Sequence, residues 1–526
     1  MKMASKITAS LLALVLLAAT AHAQSDEPVT FTFAHPGPVR TMDAPVTWFG
    51  STHWLTNTLY DCLIWRSADG SGYVGQAAER WEAIDDTTWR FYLGEGRTFH
   101  NGEPLDAAAV KWNIDRLLTR EDFMVHPQWL FIKEAVIVDD LTIDVLTHQP
   151  EAYFEYDFSY NGCQLLPPQY IEEVGEEEFA RNPVGSGPYR LASFTASDRY
   201  VFEAWDDYWS GRPEVDRIIY QVIPEAGSQV AALLAGQIDM IRNVPLPDRA
   251  RIEAASDVEL LFAPANIQHL FYVRYQTDTG EFPRSWPDYT PSTVDQRIRL
   301  AVSHALDREL LAEVQGSARP SLLRSDEFHP EHRGRWAGEE AAINFYDPER
   351  ARQLIIEAGY DLDAGERPIL HLDANDFQQG NEKEVAEVAA ALLADVGFDV
   401  RLNILGNAAF QEQVLTPGNY RELAMANIGG APSLQPRFFS CGWETSRSRS
   451  CDVAEGEWHD TNQKILTTID FEERMALWEI FWEFWVEMAP EITMYHIDQA
   501  LAINSRFEWE PRADGWMTFR DLKVRR

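Results

Sequence analysis

Residues 182–239 constrain the fold of this chain more than any other segment. The segment opens with Asn-Pro-Val-Gly-Ser-Gly-Pro-Tyr-Arg at 182–190, which has the composition of a tight turn that leads into a strand. Glycine permits positive φ values there, and Pro188 restricts the next φ. Asp-Tyr-Trp at 207–209 follows, and Ala-Ala-Leu-Leu-Ala-Gly-Gln-Ile-Asp at 231–239 ends the segment. An apolar strand and a short helix lie between these motifs, which predicts mixed α/β structure.

Strand and helix patterns alternate along the rest of the chain. A strand is predicted at 29–34, before a turn at 35–38, and short alternating strands fill much of 74–165. One helix interrupts these strands, with Asp106 as its N-cap. Amphipathic helices are predicted at 293–315, 348–358 and 381–396, and a strand at 397–404. The repeated order of helix, glycine and strand predicts α/β lobes whose sheets are covered by helices.

The last long helical pattern, Phe471–Met488, has five aromatic residues between 478 and 485. Such a surface can line a sugar site. At helical spacing, however, aromatic side chains are expected to pack in a core, where they bury large apolar areas. The pattern therefore favours packing between lobes over ligand binding.

Further motifs accompany residues 182–239 in a fixed order. They are Tyr-Asp-x-Leu at 60–63, Ala-Ala-Glu-Arg-Trp-Glu at 77–82, Phe-His-Asn-Gly at 99–102, Asp-x-x-Ile-Arg-x-Ala-x-x-x-Ala-Leu-Asp-Arg at 295–308 and Tyr-Asp-Pro-Glu-x-Ala-Arg at 346–352. With these motifs the chain resembles the family 5 extracellular solute-binding proteins of ABC importers, which capture peptides, nickel chelates and related solutes. The shared pieces extend from about residue 57 to residue 500.

The resemblance implies an α/β, two-lobed periplasmic-binding-protein fold of type II, shaped like a Venus flytrap, with an extra subdomain inserted in lobe I. Mapped onto this chain, lobe I would be 24–70, 180–265 and 485–526, the insertion 71–179, and lobe II 266–484. The chain would cross between the lobes near 265 and 485, and these crossings would form a hinge.

The first residues predict export. Lys2 and Lys6 precede an apolar run at 7–19, and Ala-His-Ala at 21–23 has the form of a cleavage site. The apolar run is shorter than the ~20 residues that a spanning helix needs. Residues 1–23 are therefore a predicted signal peptide, and the mature protein is expected in the periplasm.

The charge of the chain argues against nucleic acid and anionic membranes as partners, because its formal net charge is −38. Only seven of the 45 basic residues are lysines. Strong acidity with few lysines is typical of a halophilic protein, because salt screens the repulsion among its carboxylates.

Four cysteines in an exported chain predict two disulfides. Cys441 and Cys451 are ten residues apart and are expected to close a surface loop, which leaves Cys62 with Cys163. A zinc site near His459 is the alternative, although no Cys-x-x-Cys spacing occurs.

Sequence patterns of common enzymes are absent. A Gly-x-Gly-x-x-Gly spacing at 70–75 lies in a polar loop rather than between a strand and a helix, so it does not predict a dinucleotide site. No Gly-x-Ser-x-Gly, His-Glu-x-x-His or P-loop run occurs, and the histidines have no ligand spacing. For His100, in the Phe-His-Asn-Gly turn, we expect a structural hydrogen bond. The chain is thus predicted to have no cofactor, no metal and no catalytic activity.

The expected ligand site lies between the lobes, where two concave surfaces can enclose a solute. Its candidate residues come from three segments: His35 and Trp48 after the first strand, Tyr272 and Arg274 near the crossover, and Asn427, Gly430, Arg437, Phe439 and Trp443 further along. Aromatic side chains beside an arginine suit a ligand with a planar or apolar part and an anionic group. Ordinary packing, or a structural salt bridge for either arginine, is the alternative.

The third segment departs from the family pattern. Peptide-binding relatives typically carry an Asp-x-x-Asp-Pro run there, and an aspartate from it holds the peptide ammonium group. Residues 427–433 are Asn-Ile-Gly-Gly-Ala-Pro-Ser and contain no acid. Because a buried cation without a carboxylate is costly, this disfavours a conventional dipeptide. It favours oligopeptides held by their backbone, or opine-like, acidic or neutral solutes.

Together these features predict the periplasmic solute-binding component of an ABC importer. We expect a monomer that captures one small solute and passes it to permease subunits in the inner membrane. An exported hydrolase is the alternative among enzymes. A binding module that serves a chemoreceptor is the alternative with the same fold.

Overall fold

The structure is a computed structural model. It describes residues 28–39, 41–47, 50–69, 71–195, 198–274, 289–316, 318–320, 345–376, 381–415, 419–429, 457–512 and 514–526. The predicted signal peptide at 1–23 lies outside these ranges, as do Cys441 and Cys451.

The described strands are β1 (Thr30–His35), β2 (Ile64–Arg66), β3 (Tyr73–Gly75), β4 (Ala78–Asp85), β5 (Thr88–Leu93), β6 (Ile132–Asp139), β7 (Thr142–Thr147), β8 (Tyr189–Thr195), β9 (Arg199–Ala204), β10 (Arg217–Val222), β11 (Met240–Arg242), β12 (Val258–Val273), β13 (Ala318–Pro320), β14 (Ile369–Asp376), β15 (Asp399–Gly406), β16 (Leu423–Gly429), β17 (Glu491–Asn504), β18 (Phe507–Glu508) and β19 (Lys523–Val524).

The described α-helices are α1 (Gly50–Leu59), α2 (Ala107–Thr119), α3 (His126–Trp129), α4 (Phe154–Phe158), α5 (Pro168–Val174), α6 (Glu176–Arg181), α7 (Ala226–Leu234), α8 (Arg249–Glu253), α9 (Gln296–Ala305), α10 (Arg308–Gln315), α11 (Pro348–Glu357), α12 (Glu382–Val396), α13 (Asn407–Phe410), α14 (Glu457–Thr467) and α15 (Phe471–Met488). Short 3₁₀ turns occur at Ala44–Val46, Leu246–Asp248 and Ser292–Val294, and a π-helical turn at Gln411–Leu415.

One mixed sheet runs through most of the described chain. Its order is β15-β14-β16-β12-β17-β11-β1-β10-β9-β8, with β13 paired to β17. Two long antiparallel strands, β12 and β17, join its halves, since they pair from Val258 opposite Asn504 to Tyr272 opposite Glu491. The register between them is irregular between Ala263 and Ile267 and again between His269 and Leu270.

Each half of this sheet has its own apolar core. Phe31, Phe33, Tyr220 and Leu501 belong to the core of the half with β1, β10 and β11, which we call lobe I. Phe271, Ile298, Leu370 and Leu393 belong to the core of the half with β14, β15 and β16, which we call lobe II. Two cores on one sheet make a two-lobed α/β molecule.

A separate four-stranded sheet, β4-β5-β7-β6, lies within the segment predicted to be an inserted subdomain. It packs with α2 around a third core that includes Phe91, Val110 and Val145. The expected disulfide between Cys62 and Cys163 is formed, and both cysteines are buried members of this core. The residue boundaries assigned to the lobes and to the insertion stay a prediction.

The Gly-Ser-Gly turn of the 182–190 motif serves close approach rather than positive φ. Neither Gly185 nor Gly187 is in the left-handed region, so that part of the expectation is wrong. A Cβ on Gly185 would lie 2.0 Å from the Leu59 carbonyl oxygen, and one on Gly187 would lie 2.8 Å from the Leu59 carbonyl carbon. The turn therefore packs directly on the end of α1, where the Gly187 amide donates to the Leu59 oxygen at 2.8 Å.

His100 holds the same turn, as expected for a structural residue. Its Nε2 lies 2.9 Å from the Gly187 carbonyl oxygen, and the Gly185 amide donates to its Nδ1 at 3.2 Å. One nitrogen must donate and the other accept, so the ring is neutral. Accordingly, burial lowers the pKa of His100 to about 4.

The Tyr-Asp-x-Leu and Asp-Tyr-Trp motifs meet at one buried carboxylate. Asp61 is 1% exposed and accepts from the Tyr208 hydroxyl at 3.1 Å, from Trp209 Nε1 at 2.9 Å and from Arg520 at 2.5 Å. Charge-assisted bonds of this kind are strong, so these motifs join three distant segments of the chain.

Helix α15 packs its aromatic residues in a core, as the spacing predicts. Trp478 and Phe481 are fully buried, and Trp478 Nε1 donates to the Tyr153 hydroxyl at 2.6 Å. The Ala152 amide donates to the Leu466 oxygen, at the end of α14, at 2.8 Å. These contacts join the helix pair to the four-stranded part of the molecule.

Candidate functional site

The carboxyl ends of strands from both lobes face the region where the paired strands β12 and β17 pass from one lobe to the other. In lobe I, β1 runs parallel to β11, and Arg242 at the end of β11 pairs with Leu501. In lobe II, β14 runs parallel to β15 and β16, and Gly429 at the end of β16 pairs with Ile267. Ligands of open α/β sheets bind outside the carboxyl ends of the strands, which makes this crevice the candidate site.

On the lobe I side, four side chains from separate elements come together. Phe33 of β1 is level with Met240 of β11, so His35 and Arg242, two residues further on, end their strands at the same level. The Arg242 guanidinium lies over the Trp54 ring of α1, 4.4 Å from its centroid. The His35 ring meets the same indole edge to face, at a centroid distance of 5.6 Å.

Gln499 of β17 fixes the orientation of the arginine. Arg242 Nε donates to Gln499 Oε1 at 2.7 Å, and Gln499 is 5% exposed. Trp54 and His35 are also buried, whereas Arg242 remains partly exposed. The guanidinium therefore lies deep in the crevice and still contacts solvent.

Arg242 has no acidic partner. No carboxylate among the described residues lies within 4.0 Å of its nitrogen atoms; its polar contacts are the Gln499 amide and the face of Trp54. Burial lowers the pKa of Arg242 to about 9, and burial is the only cause. The protein thus holds a poorly solvated cation at the mouth of β11 without a protein charge to balance it.

The backbone after Arg242 is unusual too. Asn243 has a φ of 59°, one of two positive values among the described residues other than glycine. Asparagine tolerates this region better than most residues, yet such conformations are uncommon and cluster at ligand sites. The next amide, of Val244, donates to the Ala500 oxygen at 2.9 Å, which fixes the turn against β17.

Of the residues expected from sequence, the structure brings His35 into this group. Tyr272 lies instead in a small apolar cluster of lobe II, where its ring stacks on Tyr420 at 6.4 Å. Arg274 is also buried, and its backbone amide donates to the Glu422 oxygen at 2.8 Å. Seven residues separate Arg274 from Ile267 at the crossover, or roughly 23 Å of strand.

Of the remaining expected residues, Asn427 lies within the described ranges. Asn427 lies in β16 opposite His269, two residues before the strand reaches the crevice. Trp48, Gly430, Arg437, Phe439 and Trp443 lie outside the described residues.

Sequence reasoning missed Arg242, Trp54 and Gln499. One usable signal was present, because Arg242 ends the short apolar strand that directly follows the 231–239 motif. An arginine at the carboxyl end of such a strand faces the crevice. The contact with Gln499, 257 residues away, has no signal in the sequence.

A cavity of about 700 Å³ is lined by residues of lobe II and does not include Arg242. Its lining includes His371 and Asp373 of β14 and Arg401 and Asn403 of β15, which precede the carboxyl ends of their strands. His371 Nδ1 lies 2.8 Å from the buried Glu422 carboxylate, and Asn403 donates to Asp373 at 2.9 Å. His371 and Asp373 of this lining therefore have polar partners in the protein, unlike the terminal nitrogens of Arg242.

The sequence of this chain matches a family model and is similar to known proteins. The model of the bacterial extracellular solute-binding proteins, family 5, matches residues 72–449. The glutathione-binding protein GsiB of Salmonella paratyphi A is 23% identical over 440 residues, which cover 79% of this chain and 80% of that protein. GsiB of Pectobacterium atrosepticum is 24% identical over 415 residues, covering 75% and 74%.

Solved structures share the fold. The ABC transporter substrate-binding protein CtaP of Listeria monocytogenes superposes with a TM-score of 0.80 at 19% identity, over 95% of this chain and all of that one. AgaA of Agrobacterium tumefaciens R10, solved with agropinic acid, gives 0.76 at 20% identity over 94% and 99%. No helix in the described ranges combines the length and apolarity needed to span a bilayer.

Proposed function

The chain belongs to the bacterial extracellular solute-binding proteins of family 5, and on that premise we propose that it captures one small solute in the crevice between its lobes and delivers it to an ABC permease. The two-lobed α/β fold of the type II periplasmic binding proteins, expected from the sequence, is confirmed. Capture in the periplasm by a monomer is part of the proposal.

One observation carries this proposal. Strands of both lobes end at the same paired strands, β12 and β17. The carboxyl ends of β1 and β11 face them from lobe I, and those of β14, β15 and β16 face them from lobe II. A solute between them contacts both lobes at once and is enclosed when the lobes close. Binding of this kind needs no chemistry at the bound solute.

The relatives narrow the kind of solute to be tested. GsiB is named as a glutathione-binding protein, and AgaA was solved with agropinic acid. Both names point to small polar organic molecules, and residues 427–433 of this chain lack the acid expected for a peptide ammonium group. We propose peptides without a required α-ammonium contact, and opine-like acids, as the first solutes to test.

The experiment is a thermal-shift screen of the purified mature protein against peptides, glutathione, opines, sugars and metal chelates. Each stabilising solute is then measured by calorimetry and by small-angle scattering. We expect a stoichiometry of one and a smaller radius of gyration with solute, because the lobes close.

Mass spectrometry of the recovered solute provides the control for catalysis. An unchanged solute supports capture for delivery, whereas turnover by the pure protein would contradict it. A stabilising solute that leaves the scattering radius unchanged would place binding outside the crevice.

A further inference from the structure

We infer that Arg242 binds an anionic group of the solute, a carboxylate, end-on in the floor of lobe I. This inference rests on the proposed function, because it names the chemistry of the same crevice. Gln499 and Trp54 act as positioning residues for the guanidinium.

The donors left on Arg242 match a carboxylate. A guanidinium has five N–H donors in a planar fork, and the Nε donor is used by Gln499. The two terminal nitrogens have no hydrogen-bond acceptor among the described residues. Two parallel N–H donors in one plane form the bidentate pair that carboxylates accept.

The plane of the guanidinium is fixed before any solute arrives. Trp54 covers one face, at 4.4 Å, and the Gln499 bond prevents rotation about the end of the side chain. Trp54 is itself held by His35 at its edge and lies in the lobe I core. A group held in one orientation loses little entropy on binding, which favours affinity and selects planar anions.

The missing counter-charge is informative in this chain. It has 83 acidic residues and 45 basic ones, so acidic partners are abundant. Arg308 has no acidic partner but donates to four oxygen acceptors of the protein. Three other deep arginines have acidic partners, as Arg116 has Asp43 at 2.6 Å, Arg520 has Asp61 at 2.5 Å and Arg512 has Asp514 at 2.9 Å. Arg242 has none among the described residues, and a solute anion would balance it.

A carboxylate fits better than a phosphate. One guanidinium with two terminal nitrogens supplies one positive charge and two in-plane donors. A phosphate brings up to two negative charges and three acceptor oxygens. The described residues around Arg242 add an indole face and an amide, but no second cation.

The first test is independent of the solute. Melting temperatures of wild type, Arg242→Gln and the control Arg190→Gln are compared in acetate, inorganic phosphate and acetamide, with chloride at equal ionic strength. Arg190 is exposed and remote from the crevice, in β8. We expect acetate to stabilise wild type and Arg190→Gln above chloride, acetamide to have no effect, and Arg242→Gln to lose the acetate response.

Equal effects of acetate and chloride on wild type, or an acetate response retained in Arg242→Gln, would overturn the inference. A larger response to phosphate that requires Arg242 would replace the carboxylate by a phosphate and so overturn the stated chemistry. Arg242→Lys keeps the charge and loses the fork, and it should show a weakened acetate response.

The second test uses each solute that compacts the protein in scattering. Its acid form is compared with its amide or ester, in wild type and in Arg242→Gln. We expect about a 10- to 100-fold loss of affinity on removing either partner, and little further loss on removing both, as for a charge-assisted bond.

Different results would contradict solute capture between the lobes and anion binding by Arg242. A neutral solute that compacts the protein and binds Arg242→Gln as tightly as wild type would overturn the anion site and leave solute capture intact. Acids that bind through Arg242 without compaction would leave the anion site and remove capture between closing lobes.

Discussion

Two arginines of this protein have the same lowered pKa and opposite surroundings. Burial lowers the pKa of both Arg242 and Arg308 to about 9, and in each case burial is the only cause. Arg242 ends β11 at the crevice and is partly exposed, whereas Arg308 begins α10 inside lobe II and is 1% exposed. By pKa alone the two sites are indistinguishable.

Their hydrogen bonds separate them. Arg308 donates to the Thr493 oxygen at 2.9 Å, to the Ser303 oxygen at 3.0 Å, to Ser303 Oγ at 3.0 Å and to the Leu306 oxygen at 3.3 Å. It ties α9 and α10 to β17, and each of its three nitrogen atoms donates to a protein oxygen. Arg242 has one amide acceptor and an indole face. A perturbed pKa therefore marks burial, and unfilled donors mark the place where a ligand fits.

The largest effect should come from Arg308→Met. The variant leaves three backbone carbonyls and one hydroxyl without their donor, and buried acceptors left unpaired cost ~1–3 kcal/mol each. We expect a loss of about 3–5 kcal/mol in the free energy of unfolding, measured in urea. Arg242→Met, the matched control, should lose less than about 1 kcal/mol. Equal losses of unfolding free energy in the two variants would contradict the difference in role between the two arginines.

Acid should reveal the buried histidines, which are neutral in the folded protein, unlike the two charged arginines. The pKa of His100 is lowered to about 4 from 6.5, so the folded protein resists protonation that the unfolded chain accepts. This contribution is complete above pH 6.5 and is lost as pH falls to about 4, at 1.36 kcal/mol per unit of pKa difference. His53, lowered by burial to about 4, and His269, lowered to about 3, act in the same direction.

His100→Gln tests the acid effect. It keeps a donor and an acceptor for the Gly185–Gly187 turn but has no proton to gain. Unfolding in urea at pH 7 and near pH 4.5 should show a smaller acid loss than in wild type, by about 2 kcal/mol. An unchanged pH slope would mean that His100 titrates normally in the folded protein.

Gln499→Leu should have a smaller effect, confined to the crevice. The variant removes the acceptor that orients Arg242 and leaves the cation in place. We expect affinity for a carboxylate solute to fall by about fivefold, or ~1 kcal/mol. The preference for the acid over its amide should fall with it, a readout that a purely structural residue would not move. Arg308-dependent stability, measured in parallel, should not change.

Added salt should have the smallest effect, and it should not change what either arginine contributes to the free energy of unfolding. The net charge of −38 repels itself, and the Debye length falls from about 10 Å at 0.1 M salt to about 3 Å at 1 M. The melting temperature of wild type should therefore rise between these concentrations. The stability difference between wild type and Arg308→Met should stay constant within ~0.5 kcal/mol, since buried hydrogen bonds are not screened. A falling melting temperature would show that the acidity is already balanced locally.

Local chemistry made several elements predictable. Asp106 caps α2 as expected and accepts from the Ala109 amide at 2.9 Å, and α15 has the predicted bounds Phe471–Met488. The helix predicted at 293–315 is instead two helices, because Asp307 caps α10 by accepting from the Leu310 amide at 3.0 Å. An acid inside an apolar periodicity can serve as a surface residue or as a cap, and the pattern does not distinguish them.

The site was less predictable, for a physical reason. His35 could be expected because a strand end beside a turn faces a crevice. Arg274 was chosen as the available arginine near the crossover, but the length of β12 carries it to the far end of lobe II. Arg242 was overlooked because an arginine with an acidic partner and one without look alike in sequence. The difference depends on which residues fold around it.

The passage between the lobes consists of paired strands rather than loops. The proposed closure of the lobes would therefore act on a two-stranded ribbon, whose soft coordinate is torsion about its length, and the pairs of β12 and β17 need not break. The ladder is interrupted between Ala263 and Ile267 and its register shifts again between His269 and Leu270, and we expect the compliance to be concentrated in this stretch. Such a ribbon behaves elastically, with a restoring torque in place of a free joint. Amide hydrogens on both sides of the interruption should exchange slowly whether or not a solute is bound.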